Sequence, residues 1–256
     1  MLTPAATVFQ VGCASWSYAS THAHFFGTGD SVLARYATRF NAVEINSSFY
    51  RSHRQATYRR WADTVPDDFR FSLKLPKLIT HEHRLQQCES ALDQFVDECS
   101  GLGGKLAGVL VQLPPSLRFD ARVAGMFLEM LRLRVTSGLA WEARHASWFG
   151  AEARDLLARH DVAQVVADPT ACETHGDLAG SSAWRYWRWH GSPKIYYSEY
   201  DEAALQALAQ EVASIEPFGA MRWVIFDNTA LGHAVPNAVR LQTLLAERHQ
   251  TGTAHA

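Results

Sequence analysis

Ala140-Trp141-Glu142-Ala143-Arg144 is a short apolar run that ends in charge. Side chains alternate along a strand, so Glu142 and Arg144 point one way while Trp141 and Ala143 point the other. The same form recurs in Ala42-Val43-Glu44-Ile45-Asn46, Phe71-Ser72-Leu73-Lys74 and Val109-Leu110-Val111-Gln112. It returns in Val165-Val166-Ala167-Asp168, Tyr186-Trp187-Arg188-Trp189-His190 and Val224-Ile225-Phe226-Asp227. Strands are expected near 8–14, 42–46, 69–75, 107–113, 139–144, 163–168, 183–190 and 222–227. Helices are expected near 31–40, 56–64, 86–100, 121–134, 149–160, 201–214 and 235–248. Eight strands alternating with helices predict a parallel sheet, and polar groups gathered at their C-terminal ends predict a (β/α)8 barrel of the TIM type.

Parity sharpens the expectation. Glu44 pairs with Asn46, Glu142 with Arg144, Arg188 with His190, and Lys74 shares a face with Ser72. Val43, Ile45, Trp141, Ala143, Trp187, Trp189, Leu73 and Leu75 take the opposite face, suited to packing under helices. The polar set at the expected mouth is Glu44, Asn46, Lys74, Gln112, Glu142, Arg144, Asp168, Arg188, His190 and Asp227.

At 256 residues the chain matches one barrel of roughly 250 residues. No proline- or glycine-rich linker divides it, so one domain over 1–250 is expected, followed by a flexible tail at 251–256. Hydrophobic residues make up 47%, enough for a sizeable core. A formal charge of −2 offers no overall attraction to nucleic acid or to an anionic membrane. No run of about 18 apolar residues exists, so no membrane partner is expected. The first ten residues lack the basic start and apolar stretch of a signal peptide. The four cysteines, Cys13, Cys88, Cys99 and Cys172, show no CxxC spacing. Cys88 and Cys99 in one helix would stand ~16 Å apart, too far for a disulfide. Reduced thiols in a cytoplasmic protein are the expectation. The segment from Pro169 to Ser182 reads as mostly loop.

Several chemistries compete for the polar set. A self-satisfied ion-pair network would close the barrel with no function at all, although buried charges rarely improve on apolar packing. A metal centre would draw on Glu44, Glu142, Asp168, His190 and Asp227, but Lys74, Arg144 and Arg188 would oppose a cation, and no HExxH spacing occurs; no metal ligand is assigned. An anionic substrate suits those three cations, with Arg able to fork onto phosphate or carboxylate. The loops Gly191-Ser192-Pro193-Lys194 and Asn228-Thr229-Ala230-Leu231-Gly232-His233 stand where such barrels often bind phosphate. A carboxylate pair could instead hydrolyse a glycosidic bond, with Trp16, Tyr18, Phe49, Tyr50, Trp148, Tyr196, Tyr197 and Tyr200 as stacking surfaces; the same aromatics equally serve to pack loops.

Several stretches resemble the YecE-like family, domain of unknown function 72. They are Val11-Gly12-Cys13-Ala14-Ser15-Trp16-Ser17-Tyr18, Glu44-Ile45-Asn46-Ser47-Ser48-Phe49-Tyr50, Phe71-Ser72-Leu73-Lys74-Leu75-Pro76-Lys77, Gln112-Leu113-Pro114-Pro115, Glu142-Ala143-Arg144-His145, Arg188-Trp189-His190-Gly191 and Ile225-Phe226-Asp227-Asn228. They span nearly the whole chain. The resemblance implies a TIM-barrel fold, adds Asn228 to the site, and names no activity or cofactor. Where an amide pair is expected after the last strand, this chain has Asp227-Asn228.

Taken together, the chain reads as an acid–base enzyme, hydrolase-like, acting on a phosphate- or carboxylate-bearing small molecule or nucleotide. Glu142, Asp168 and His190 are the expected catalytic residues. Lys74, Arg144 and Arg188 would hold the anion, with Glu44, Asn46, Gln112, Asp227 and Asn228 lining the substrate site. The alternatives are a non-catalytic barrel that binds a metabolite or recruits a partner, and a divalent-metal hydrolase acting on nucleic acid.

Overall fold

The computed structural model describes residues 9–170, 181, 183–214 and 221–253. Among these residues nine strands are interspersed with helices: β1 Phe9–Cys13, β2 Ala42–Ile45, β3 Arg70–Lys74, β4 Leu106–Gln112, β5 Gly138–Glu142, β6 Val162–Gln164, β7 Val166–Asp168, β8 Trp184–Trp189 and β9 Met221–Phe226. Helices α1 Val32–Tyr36, α2 Gln55–Thr64, α3 Glu89–Cys99, α4 Ala121–Arg132, α5 Ala151–Arg159, α6 Glu202–Ser214 and α7 Ala234–Thr253 stand between and after them. The strands form two parallel sheets, β1-β9-β8-β7 and β2-β3-β4-β5-β6.

Two details depart from the eight-strand expectation. The sixth strand is broken into β6 and β7 by Val165, whose N–H still donates to the Trp141 carbonyl at 3.0 Å. β6 pairs with β5 and β7 pairs with β8, so one extended segment reaches both sheets. At the other junction, Ala14 bridges Glu44 just beyond β1. Tyr36 fills the gap between β1 and β2: its hydroxyl accepts from the Cys13 N–H at 2.9 Å and donates to the Ala42 carbonyl at 3.0 Å. A Cβ on Gly12 would stand 2.0 Å from that carbonyl oxygen, so only glycine permits the approach.

Alternation along these strands builds two separate apolar bodies. Ala42, Leu110, Ala140, Ala163, Val165, Trp184, Tyr186, Trp223 and Ile225 pack together where the inner faces of the two sheets meet. Val43, Leu73, Val111, Trp141, Trp187 and Phe226 join the larger body under the helices. Three residues of the inner one are aromatic. Trp184 and Trp223 meet edge to face at 5.9 Å, and Tyr186 stacks on Trp223 at 6.0 Å. Gly108 and Gly138 make the room: a Cβ on either would fall 2.6 or 2.5 Å from the Trp184 ring. One end of the inner space is thereby filled with rings, and the polar strand ends lie beyond them.

Helix bounds follow local chemistry. Ser31 Oγ caps α1 by accepting from the Ala34 N–H at 3.0 Å, and Asp120 caps α4 at Val123. Helix α1 ends earlier than position 40, because Thr38 and Arg39 turn more tightly onto Arg35 and Tyr36. Helix α7 continues to Thr253, past the expected start of a tail at 251. The loop expected over Pro169–Ser182, with Cys172, lies mostly outside the described residues. Among the described residues no helix is long and apolar enough to cross a membrane. Cys13, Cys88 and Cys99 are buried free thiols.

Candidate functional site

Arg188, near the end of β8, organises the strand ends. It is 1% exposed and carries three carboxylates on one guanidinium. Its Nη2 donates to Glu44 Oε1 at 2.8 Å and its Nε to Glu44 Oε2 at 3.0 Å, a forked contact across the two sheets. Nη2 also lies 2.9 Å from Asp227 Oδ2, and Nη1 lies 3.3 Å from Glu142 Oε2. Tyr186 joins the aromatic layer to this hub, donating to Glu44 Oε2 at 2.8 Å beside Ser72 Oγ at 2.9 Å. Burial alone would lower the Arg188 pKa, but Asp227, Glu44 and Glu142 hold it well above the ordinary range.

His190 lies between two of those carboxylates. Its Nδ1 is 3.0 Å from Asp227 Oδ2 and its Nε2 is 3.0 Å from Glu142 Oε1. Arg144 Nη2 approaches the same Nε2 at 2.7 Å and pairs with Glu142 Oε1. With a proton on Nε2 the ring can therefore donate a hydrogen bond to Glu142, and without it the Nε2 lone pair can accept from Arg144. Both protonation states of the ring find a partner in place. Burial raises the pKa of Glu142, yet His190, Arg188 and Arg144 hold it well below the usual carboxylate range. Asp227 is likewise pushed up by burial and pulled below its ordinary value by Arg188, His190 and Lys74.

Lys74, at the end of β3, differs from its neighbours. It is 6% exposed, and its Nζ lies 4.0 Å from the centroid of the Phe49 ring. Among the described residues no carboxylate stands within ion-pairing distance of it, because Glu44, Glu142 and Asp227 are engaged by Arg188, Arg144 and His190. Burial, and then the charge of Arg188, lower its pKa to about 8 despite the three carboxylates nearby. Arg144 Nε is also buried without a partner, as is Asn46 Oδ1. Above the cluster, Tyr196 follows β8 at φ +69° and sets its ring 5.9 Å from that of His190. Among the described residues no group of three or more His, Cys, Asp or Glu side chains is arranged to hold a metal ion.

The model of the family described as Protein of unknown function DUF72 matches residues 10–256. The chain belongs to the DUF72 family. Two Escherichia coli proteins described as UPF0759 protein YecE, from O157:H7 and from strain K12, are similar at 31% and 30% identity over 169 residues. That match covers 63% of this chain, which spans only 59% of the length of these curated relatives. A DUF72 family protein of Enterococcus faecalis V583 has a TM-score of 0.80 at 21% identity, over 93% of this chain and 96% of its own. One from Thermotoga maritima MSB8 has a TM-score of 0.74 at 23% identity, over 93% and 99%. At these identities the likeness speaks for the fold alone.

In this DUF72 chain seven of the expected residues meet: Glu44, Lys74, Glu142, Arg144, Arg188, His190 and Asp227. Asp168 does not join them. Ala163, Val165 and Ala167 hold the inner positions of the broken strand, so the next residue turns outward, and Asp168 Oδ1 accepts from the Tyr200 hydroxyl at 2.8 Å. Asn228 is also one residue out of phase with Asp227. Its amide donates to the Ser198 carbonyl and to Asn237 Oδ1, tying loops together. Gln112 Nε2 donates to the Leu113 carbonyl at 3.0 Å. Asn46 shares parity with Glu44, but the backbone has already turned helical there (φ −86°, ψ −20°), so strand alternation no longer aims it. Tyr186 and Ser72 contact the cluster and were not among the expected site residues, while Phe49, expected as one of several stacking aromatics, lies against Lys74. Tyr186 was legible, since it shares parity with Arg188; the placement of the Phe49 ring against Lys74 depends on the Ser47–Phe49 turn and was not.

Proposed function

We propose that the two sheets close into a single (β/α)8 barrel domain, and that the charged strand ends bind a small phosphate- or carboxylate-bearing molecule and carry out acid–base chemistry on it. The continuity through Val165 and the Tyr36-bridged junction of β1 with β2 support closure. Support for a ligand site comes from one observation above the others: Lys74 and Arg144 Nε are buried cationic donors without a carboxylate to receive them, although three carboxylates lie close by. A network meant only to satisfy itself would have paired them.

The roles then differ from those expected of the bare list. Arg188 has no donor to spare for a ligand and acts as the positioning residue that holds Glu44, Glu142 and Asp227. Arg144 receives the anion, and Lys74 adds charge when protonated. His190 is the group that moves a proton, because each of its ring states has a partner. Glu142 and Asp227 stay ionised and orient the ring rather than exchanging protons themselves. The carboxylates that could take a divalent cation are occupied by guanidinium groups, which disfavours the metal-hydrolase alternative.

Calorimetric titration of the protein with a panel of phosphate monoesters and carboxylates tests this. Binding of at least one class, weakened tenfold or more by Arg144→Gln, is the expected result. Equal affinity in the variant for every anion that binds would refute it.

A further inference from the structure

Lys74 has a chemistry that neither anion binding nor the His190 network uses. The chain contains 4 lysines among its 24 basic residues. Three of them occupy ordinary settings. Lys77 pairs with Glu82 at 3.4 Å, Lys105 donates to the Ala62 and Val65 carbonyls at 2.8 and 2.7 Å, and Lys194 lies 4.3 Å over the Tyr197 ring at the surface. The fourth lies among the strand-end charges, against Phe49. Arginine serves the ion-pairing positions of this cluster, at 144 and 188. Lysine stands at the position with no carboxylate to pair. Arginine is never deprotonated in proteins, whereas a buried lysine becomes a neutral amine readily.

We propose that Lys74 is a nucleophile that forms an imine with the carbonyl of an anionic aldehyde or ketone; this rests on the anion-binding function proposed above and narrows its substrate class. The Nζ lone pair attacks the carbonyl carbon, and the amine proton passes to the carbonyl oxygen to give a carbinolamine. A second proton, delivered by the acid–base network of which His190 is the mobile member, lets that hydroxyl leave as water while the N–C double bond forms, and the remaining N–H proton returns to the same network. One amine and one carbonyl become one imine and one water, with no oxidant or reductant. Protonation of the imine places a positive charge beside the substrate α-carbon, where it draws electrons from an adjacent C–H or C–C bond. The anion of the substrate falls to Arg144, leaving Lys74 uncharged for attack. The apolar Phe49 face favours the neutral amine over the ammonium, in line with a pKa lowered to about 8.

The test is reductive trapping on the full chain with glycolaldehyde phosphate and sodium borohydride at pH 7, read by peptide mass mapping. Lys77, Lys105 and Lys194 serve as internal controls. The expected result is an adduct on Lys74 at roughly tenfold or more the level on each control, since an unperturbed lysine near 10.4 is far less often neutral. Ethyl phosphate, which carries the anion without a carbonyl, should protect Lys74, and Lys74→Arg should remove the adduct while the circular dichroism spectrum is kept. Labelling spread evenly over the lysines, or kept in Lys74→Arg, overturns the proposal. If ethyl phosphate binds and Lys74 stays unlabelled, imine formation is wrong and the anion site stands. If neither compound binds, both are wrong.

Discussion

Lys74 makes the clearest prediction at the scale of one residue. Its pKa falls from 10.5 to about 8 on folding, so below pH 8 the folded chain carries a charge that its surroundings disfavour. The unfolded chain binds this proton more tightly, and stability should rise with pH between 8 and 10.5. Lys74→Met is therefore expected to stabilise the protein at pH 7 by on the order of 1–3 kcal/mol, with the gain shrinking toward pH 10.5. Urea denaturation at pH 7 and pH 10 measures both. Arg188→Met should do the reverse. It strands three buried carboxylates and should cost about 3–5 kcal/mol at neutral pH. Glu142 and Asp227 give the acid side of the profile. Both are held below their ordinary values of 4.5 and 3.8, so the stability they contribute is complete above that range. It is lost as pH falls through it toward their folded-state values; a stability profile flat down to pH 2 would contradict the pairing. Single residues were legible in the sequence where alternation held. Glu44, Glu142, Arg188 and His190 follow it directly. Asp168 was misplaced because the strand-end position was weighed without its parity; Asn46 lies past the strand end at Ile45, where alternation no longer sets its direction.

Among the elements, the close approaches decide most. Gly138 opens β5 against the Trp184 ring, and Gly138→Ala should cost about 1–3 kcal/mol through overpacking, measurable as a lowered thermal midpoint. At the β1–β2 junction the Tyr36 hydroxyl works beside the Ala14–Glu44 bridge and the Asn41 side chain. Tyr36→Phe leaves the buried Cys13 N–H and Ala42 carbonyl without that partner, and a loss of roughly 1–3 kcal/mol is expected. Hydrogen exchange should locate the weakening: Cys13 should lose protection in the variant, and unchanged exchange there would mean that the junction is held otherwise. The strands could be read from their apolar runs and the helices from their spacing. This junction could not, because it joins a helix side chain to two strands 23 and 6 residues away. The break at Val165 left no mark in the sequence either, since Val165-Val166-Ala167 is an unbroken apolar run.

Across the described residues, the inner apolar body abuts the charges at the strand ends. The outer body lies under the helices, the inner one holds three aromatic rings among smaller side chains, and the Tyr186 phenol joins those rings to the ion pairs. Its hydroxyl touches Glu44 while its ring lies nearly parallel to that of Trp223, at 13°. The polarisation of that phenol follows the charge state of the Arg188 hub, and the indole stacked on it lies within reach of the change. The protein thus contains its own chromophore for events at the strand ends. Near-ultraviolet circular dichroism of the unlabelled chain should respond when an anion is captured, and the response should vanish in Tyr186→Leu.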